Sequence, residues 1–354
     1  MPVNTSRTTY REHTDTENIL KLRQVLSTLP AFCKDYFRAI DSTTTTKTRI
    51  SYAYDIRIFF QFLLDENPAF KNYAMTDFSV AVLDQIKAVD LEEYMEYLKV
   101  YQNGDKTETN GERGLKRKIS ALRSFYAYYY KREMIHTNPT VLIDVPKIHD
   151  KSIIRLDTDE VALLLDYIEH CGDSLTGQKR VYYEKTKERD LAIVTLLLGT
   201  GIRVSECVGL DIEDVDFKNN GIKVTRKGGN EMVVYFGEEI EKALKRYLEI
   251  REGITPLAGH EHALFYSAQR KRMGVQAVEN MVKKYSRQIT TTKKITPHKL
   301  RSTYGTALYQ ETGDIYLVAD VLGHKDVNTT KKHYAALDDA RRRQAATAVR
   351  LRED

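Results

Sequence analysis

The chain has 354 residues, enough for two or three domains at about 150 residues each and for a core that needs no disulfide or metal staple. Lys and Arg number 55 against 50 Asp and Glu, so a net charge of +5 is too mild to argue for nucleic acid by itself, and the electrostatic argument must come from where the charges fall. Three widely spaced cysteines (Cys33, Cys171, Cys207) without CxxC or Cys/His metal spacing point to reduced thiols in a cytoplasmic protein, an acid-containing N-terminus is no signal peptide, and no run of about 20 apolar residues predicts a membrane span.

The first half reads as helices. ENILKLRQVLSTLP predicts one helix in an N-terminal extension, residues 1–30. Tyr52, Ile56, Phe59, Phe60 and Leu63 fall at i, i+4, i+7, i+8 and i+11, one apolar helical stripe, and the threonine run Thr43–Thr46 before it supplies an N-cap. DLEEYMEYLK pairs Asp90 with Glu93 in a capping-box pattern and puts Leu91, Tyr94, Met95 and Leu98 on its buried side. YQNGDKTETNGE, which follows, is polar and glycine-containing and reads as an exposed, mobile loop. A helix over about 113–131 buries Leu115, Ile119, Leu122, Phe125, Tyr126 and Tyr129 and carries Arg113, Lys116, Arg117 and Arg123 on its other side. That basic side suits contact with DNA phosphates or a plain solvated face. Residues 31–138 thus make a helical domain, and 139–155, with Pro139 and Pro146 and little periodicity, an extended linker.

The second domain, 156–354, opens with Asp157 and Glu160 capping VALLLDYIEH. CGDSLTGQKRVYYEKTKE reads as a polar, basic loop. LAIVTLLL is apolar almost all round and predicts a buried central helix, which Gly-Thr-Gly ends. VDF, IKVTRK and EMVVYF, separated by NNG and GGN, predict a small antiparallel sheet with Lys227 at a hairpin tip. Helices return in EEIEKALKRYLEIRE, VQAVENMVKKYSRQ, PHKLRSTYGTALYQE, IYLVADVLG and a last one over about 336–350. The fold class is mainly α with a small antiparallel β-sheet.

Several polar residues in the second domain suggest phosphodiester chemistry. Attack on a phosphodiester needs cations on the nonbridging oxygens, a nucleophile, and a proton donor for the leaving oxygen. Arginine suits the first task, since its fork donates two hydrogen bonds and stays charged. Arg203 follows the Gly-Thr-Gly bend, with Glu206 three residues on. His298 and Arg301 sit one helical turn apart in a helix that Thr296 and Pro297 open. Gly323-His324 follows, then Tyr334, whose phenol can act as a covalent nucleophile. Taken singly, each has a bland reading: Arg203–Glu206 as a surface ion pair, His298 as a capping histidine, His324 as a helix end, Lys227 as a solvated turn residue, Tyr334 as one of 23 tyrosines. Their joint order argues for a site.

In that order, and in GTGIRVSE, TRKGG, HKLR and LGH, the chain resembles the tyrosine recombinase (phage integrase) family from about residue 30 onward, most densely over 186–340. KERDLAIVTLLLGTGIRVSE and VENMVKKYS look most like Xer-type recombinases, in particular the stand-alone streptococcal kind. Two departures are visible: Ser302-Thr303 stand where the family often has His-Thr after the second arginine, and the tyrosine segment reads KKHYAAL. The family's Arg, Lys, His-x-x-Arg, His, Tyr order falls on Arg203, Lys227, His298, Arg301, His324 and Tyr334. The resemblance implies that Tyr334 forms a 3′-phosphotyrosyl link, Arg203 and Arg301 bind the nonbridging oxygens, and Lys227 protonates the leaving 5′ oxygen. It further implies that His298 assists proton transfer, His324 bonds the phosphate and Glu206 orients Arg203. No metal and no cofactor are implied. Double-stranded DNA sites would be bound by four protomers, with a helical core-binding domain, a mixed α/β catalytic domain, and residues 336–354 docking on a neighbour or folding back. The activity implied is strand exchange through a Holliday junction, for chromosome dimer resolution or for a mobile element; no membrane or small-molecule substrate enters. Two rivals remain: a type IB topoisomerase-like enzyme, and a catalytically silent DNA-binding accessory protein.

Overall fold

The computed structural model describes residues 9–149, 153–226, 229–323 and 326–327. The chain divides into two compact units at residues 150 and 151.

The first unit holds α1 (Tyr10–Ser27), α2 (Cys33–Ala39), α3 (Thr46–Glu66), α4 (Val82–Gln85), α5 (Ala88–Tyr97), β1 (Val100–Asn103), β2 (Lys106–Thr109) and α6 (Glu112–Lys131). Helix α1 starts well before the expected segment because Thr9 and Glu12 form a reciprocal cap. It is also part of the unit: Leu22 and Val25 lie in the same core as α3 and α6. Thr45 caps α3 by accepting the Thr48 amide, and Ile56, Phe59, Phe60 and Leu63 are buried. In α5 the expected cap shifts. Asp90 stands in the first turn, where its carboxylate accepts the Lys87 amide at 2.7 Å, and the helix begins at Ala88. The expected mobile loop is a hairpin, β1 pairing antiparallel with β2. Its residues are exposed except for Tyr101, so hydrophobic alternation could not reveal it.

Helix α6 buries Leu115, Ile119, Leu122, Phe125, Tyr126 and Tyr129 as the periodicity requires. Phe125 packs edge-on against Tyr36, Phe60 and Tyr129, contacts that each add roughly 0.5–1.5 kcal/mol beyond area burial. The first part of the expected linker packs onto this unit: after a 3₁₀ turn at Pro139–Val141, Thr140 and Ile143 are buried.

The second unit comprises α7 (Thr158–His170), α8 (Gly177–Thr200), α9 (Val204–Gly209), β3 (Val215–Asp216), β4 (Gly221–Thr225), β5 (Glu231–Tyr235), α10 (Glu238–Glu252), α11 (Val275–Ile289), α12 (Pro297–Thr312) and α13 (Ile315–Leu322). Asp157 caps α7, its own amide held by Glu160 at 2.8 Å, and Lys293 bonds both carboxylates. The stretch expected as a basic loop is a 3₁₀ turn, Cys171–Ser174, followed by the first half of a 24-residue helix. Its exposed polar residues mask helical periodicity until Leu191, after which α8 is buried through Leu197 and packed by α7, α10 and α12. Asp190 fixes it from within, accepting from Arg189 and from the Tyr285 hydroxyl of α11. The sheet has order β3-β4-β5, antiparallel, with the expected turns. All three cysteines are free and buried, and among the described residues no helix is long and apolar enough to cross a membrane. The expected helix over 336–350 lies outside the described residues.

Candidate active site

Three chain segments meet at the C-terminal end of α13. The first is the corner after α8. Gly201 adopts φ +62°, the left-handed conformation that closes the helix, and a Cβ there would strike Tyr304 and Leu322. Its carbonyl is thereby presented to Arg301. Two residues on, Arg203 opens α9, where Glu206 accepts both the Arg203 amide and its Nη1 at 2.8 Å. The Glu206 side chain is 4% exposed and that of Arg203 36%. The expected ion pair is therefore real but largely enclosed, and it holds the guanidinium by its backbone and its head together.

The second segment is α12. Thr296 precedes it and Pro297 is its first residue, as the sequence requires. Arg301 is 4% exposed, and its guanidinium donates to the carbonyls of Gly201, 100 residues back, and of Leu322. His298, in the first turn of the same helix, is exposed. Thr303, part of the departure from the family pattern, accepts the Leu156 amide at 3.0 Å and so anchors the start of the second unit.

The third segment is the end of β4. Arg226 donates to the carbonyls of Asp320 (3.3 Å) and Val321 (2.6 Å). Arg203 Nη2 reaches the Gly323 carbonyl at 3.4 Å. Arg203, Arg226 and Arg301 therefore all cap the last turn of one helix, where unsatisfied carbonyls and the helix dipole favour cations. Glu206 is the carboxylate enclosed among them, with Asp320 exposed beside them, and burial lowers the pKa of Arg226 against the opposing field of Glu206. The cluster is electropositive, and since a guanidinium carries five N–H donors, holding a carbonyl and holding an anion are compatible. Cys207, just inside α9, is no rival nucleophile: burial pushes its thiol up to about 12.

The structure thus brings Arg203, Glu206 and Arg301 together and puts His298 one turn from Arg301. Lys227, His324 and Tyr334 lie outside the described residues, each following a described segment: Lys227 comes directly after Arg226 and His324 directly after Gly323. Arg226 was missed in the sequence, where it looks like one more basic turn residue; only its partners some 95 residues on reveal it. In the first unit, Arg113 and Lys116 are exposed on α6. Arg117 pairs with Asp55, while Arg123 donates to the Thr140 and Ile143 carbonyls and straps the segment after α6 onto it. Among the described residues no group of three His, Cys, Asp or Glu side chains could hold a metal.

The Phage integrase family pattern matches residues 155–341, more than half of the chain. This chain belongs to that family. It is a tyrosine recombinase, an enzyme that cleaves and rejoins DNA strands. It is 32% identical to the tyrosine recombinase XerC of Caldanaerobacter subterraneus subsp. tengcongensis over 90% of this chain and 86% of that protein. It is 30% identical to the tyrosine recombinase XerS of Lactococcus lactis subsp. cremoris over 89% and 93%. Among solved structures, XerH bound to palindromic difH substrate in a post-cleavage complex superposes with a TM-score of 0.66 at 21% identity, covering 98% of this chain and 90% of that one. The Tn1549 transposon integrase with circular intermediate DNA gives 0.63 at 21%, covering 89% and 98%. These two likenesses support the shared fold. The Xer-like wording of the sequence and the stand-alone streptococcal and lactococcal type agree with the XerS relatives.

Proposed function

We propose that this recombinase binds double-stranded DNA sites in the cytoplasm as a homotetramer and exchanges strands between two of them to resolve chromosome dimers. The observation that carries the catalytic part is the convergence of Arg203 and Arg301 on the last turn of α13, immediately before His324. In this reading the two guanidiniums hold the nonbridging oxygens of the scissile phosphate and offset the charge that grows there during attack. The Tyr334 phenol oxygen attacks phosphorus, its proton passing to His298. The bond from phosphorus to the 5′ oxygen breaks, and that oxygen takes a proton from Lys227. His324 hydrogen-bonds the phosphate, and Glu206 keeps Arg203 aimed. The 5′-hydroxyl of a partner strand then attacks the 3′-phosphotyrosyl link and expels Tyr334, so energy is conserved in the link and no hydrolysis intervenes. A second round resolves the Holliday junction. On the first unit, Arg113 and Lys116 contact phosphates, which position the duplex without reading its sequence. Residues 336–354 serve contacts between protomers. The XerC and XerS relatives support the Xer type, on which the choice of dimer resolution over element mobility rests.

A nicked suicide substrate tests the reading, because the fragment beyond the nick diffuses away and traps the adduct. Incubation with candidate sites should give a protein–DNA band that survives denaturation. No band with any site would contradict a recombinase. Relaxation of a supercoiled plasmid lacking every such site would point instead to a topoisomerase.

A further inference from the structure

Arg226 is absorbed by no step above, yet its placement is specific. Its backbone closes the β4–β5 hairpin: its amide donates to the Asn230 carbonyl at 2.8 Å, and its carbonyl accepts from Gly229 at 3.0 Å. Its guanidinium leaves the hairpin and donates to the carbonyls of Asp320 and Val321 in the last turn of α13. It also lies close against Gly323. That residue has φ +61°, and a Cβ there would overlap the Arg226 guanidinium, so a side chain at 323 would displace the arginine from this arrangement. Arg226 is half-buried, with Nε enclosed and without an acceptor among the described residues.

We propose that Arg226 is a positioning residue: it clamps the end of β4 to the C-terminal turn of α13, and the clamp acts on the reaction through Lys227, its neighbour in the sequence. The five-donor fork of arginine bridges two carbonyls at once, which a lysine ammonium does less well for lack of a planar fork. A guanidinium does not deprotonate in proteins, so the clamp stays charged at any working pH. It works through Lys227, so this proposal rests on the reading of Lys227 as proton donor.

The test uses the full-length protein and two suicide substrates, one ordinary and one with sulfur in place of the bridging 5′ oxygen at the scissile position. With sulfur, the phosphorus–sulfur bond breaks and a thiolate leaves, which needs no proton because thiols ionise near pH 8.5. Arg226→Ala should slow cleavage of the ordinary substrate by about 10²-fold, at the low end of what a placed proton donor contributes, and cleave the sulfur substrate within a few-fold of the unmodified protein. Arg226→Lys should fall between. Equal slowing on both substrates, as expected of a phosphate ligand or of simple misfolding, overturns the proposal, and so does no slowing on either. Lys227→Ala separates the two layers: if sulfur does not rescue it, the proton-donor reading fails. The clamp is then decided by hydrogen exchange, which in Arg226→Ala should quicken in peptides spanning 226–230 and 319–323. Unchanged exchange in both peptides would overturn the clamp whatever Lys227 does.

Discussion

At Arg203 one carboxylate serves two ends. Glu206 accepts the amide that opens α9 and the guanidinium that we propose meets substrate, so local folding and the proposed catalytic geometry share a residue. Replacing Glu206 with Gln keeps an acceptor but removes the charge that opposes three guanidiniums. Single-turnover cleavage by Glu206→Gln should slow about tenfold, a change in barrier of about 1.4 kcal/mol, while the thermal midpoint stays within a few degrees. An unchanged rate would show that Glu206 only caps α9. Arg301 is less forgiving: its buried guanidinium joins the Gly201 corner to Leu322. Arg301→Met should abolish cleavage and also lower stability by roughly 1.5–3 kcal/mol per charged hydrogen bond lost, read by urea titration. The types and order of Arg203, Glu206, His298 and Arg301 are visible in the sequence because the proposed phosphodiester chemistry calls for those groups. Their carbonyl partners are not visible, since main-chain acceptors leave no mark on residue choice. Arg226 stayed hidden for that reason.

Elements were legible where burial alternates with exposure. Helices α3 and α6 carry clean stripes, and β4 and β5 are separated by glycine turns that hairpins demand. The first half of α8, where only Tyr183 and Thr186 are buried, and the β1–β2 hairpin failed the same test, because most of their residues face solvent and solvated positions accept most polar side chains. Helix α6 shows that a basic face is not uniform. With Arg123 spent on the Thr140 and Ile143 carbonyls, Arg113→Ala and Lys116→Ala should each weaken binding to any DNA and reduce the salt slope of log K by about one. Arg123→Ala should instead lower the stability of the first unit. At α7 the Lys293 bond depresses the Asp157 carboxylate below its ordinary 3.8, and the same bond raises Lys293 above its ordinary 10.5. The stabilisation is then full between those values. It is lost as pH falls through the depressed Asp157 value or rises through the raised Lys293 value. Because Asp157 is exposed, Lys293→Met should cost only about 0.2–1 kcal/mol at pH 7, a cost that fades as pH falls through the depressed Asp157 value, measured by thermal melts across pH.

On the scale of the molecule, two units each hold a core, one built on an aromatic cluster around Phe125 and the other on the buried end of α8. Phe125→Ala should destabilise the first unit by about 3–5 kcal/mol and leave the unfolding of the second in place, giving a split calorimetric transition; a single shifted transition would mean the units unfold together. The segment expected as a linker from Pro139 begins against the first unit, where Thr140 is buried and Ile143 lies in the core.

The most direct measurement for the whole account is the identity of the residue that carries DNA. Protease digestion of the trapped adduct, followed by mass spectrometry, should find the nucleotide on the peptide containing Tyr334, and Tyr334→Phe should yield no adduct. A nucleotide mapped to another residue, or an adduct that persists in Tyr334→Phe, would contradict the account.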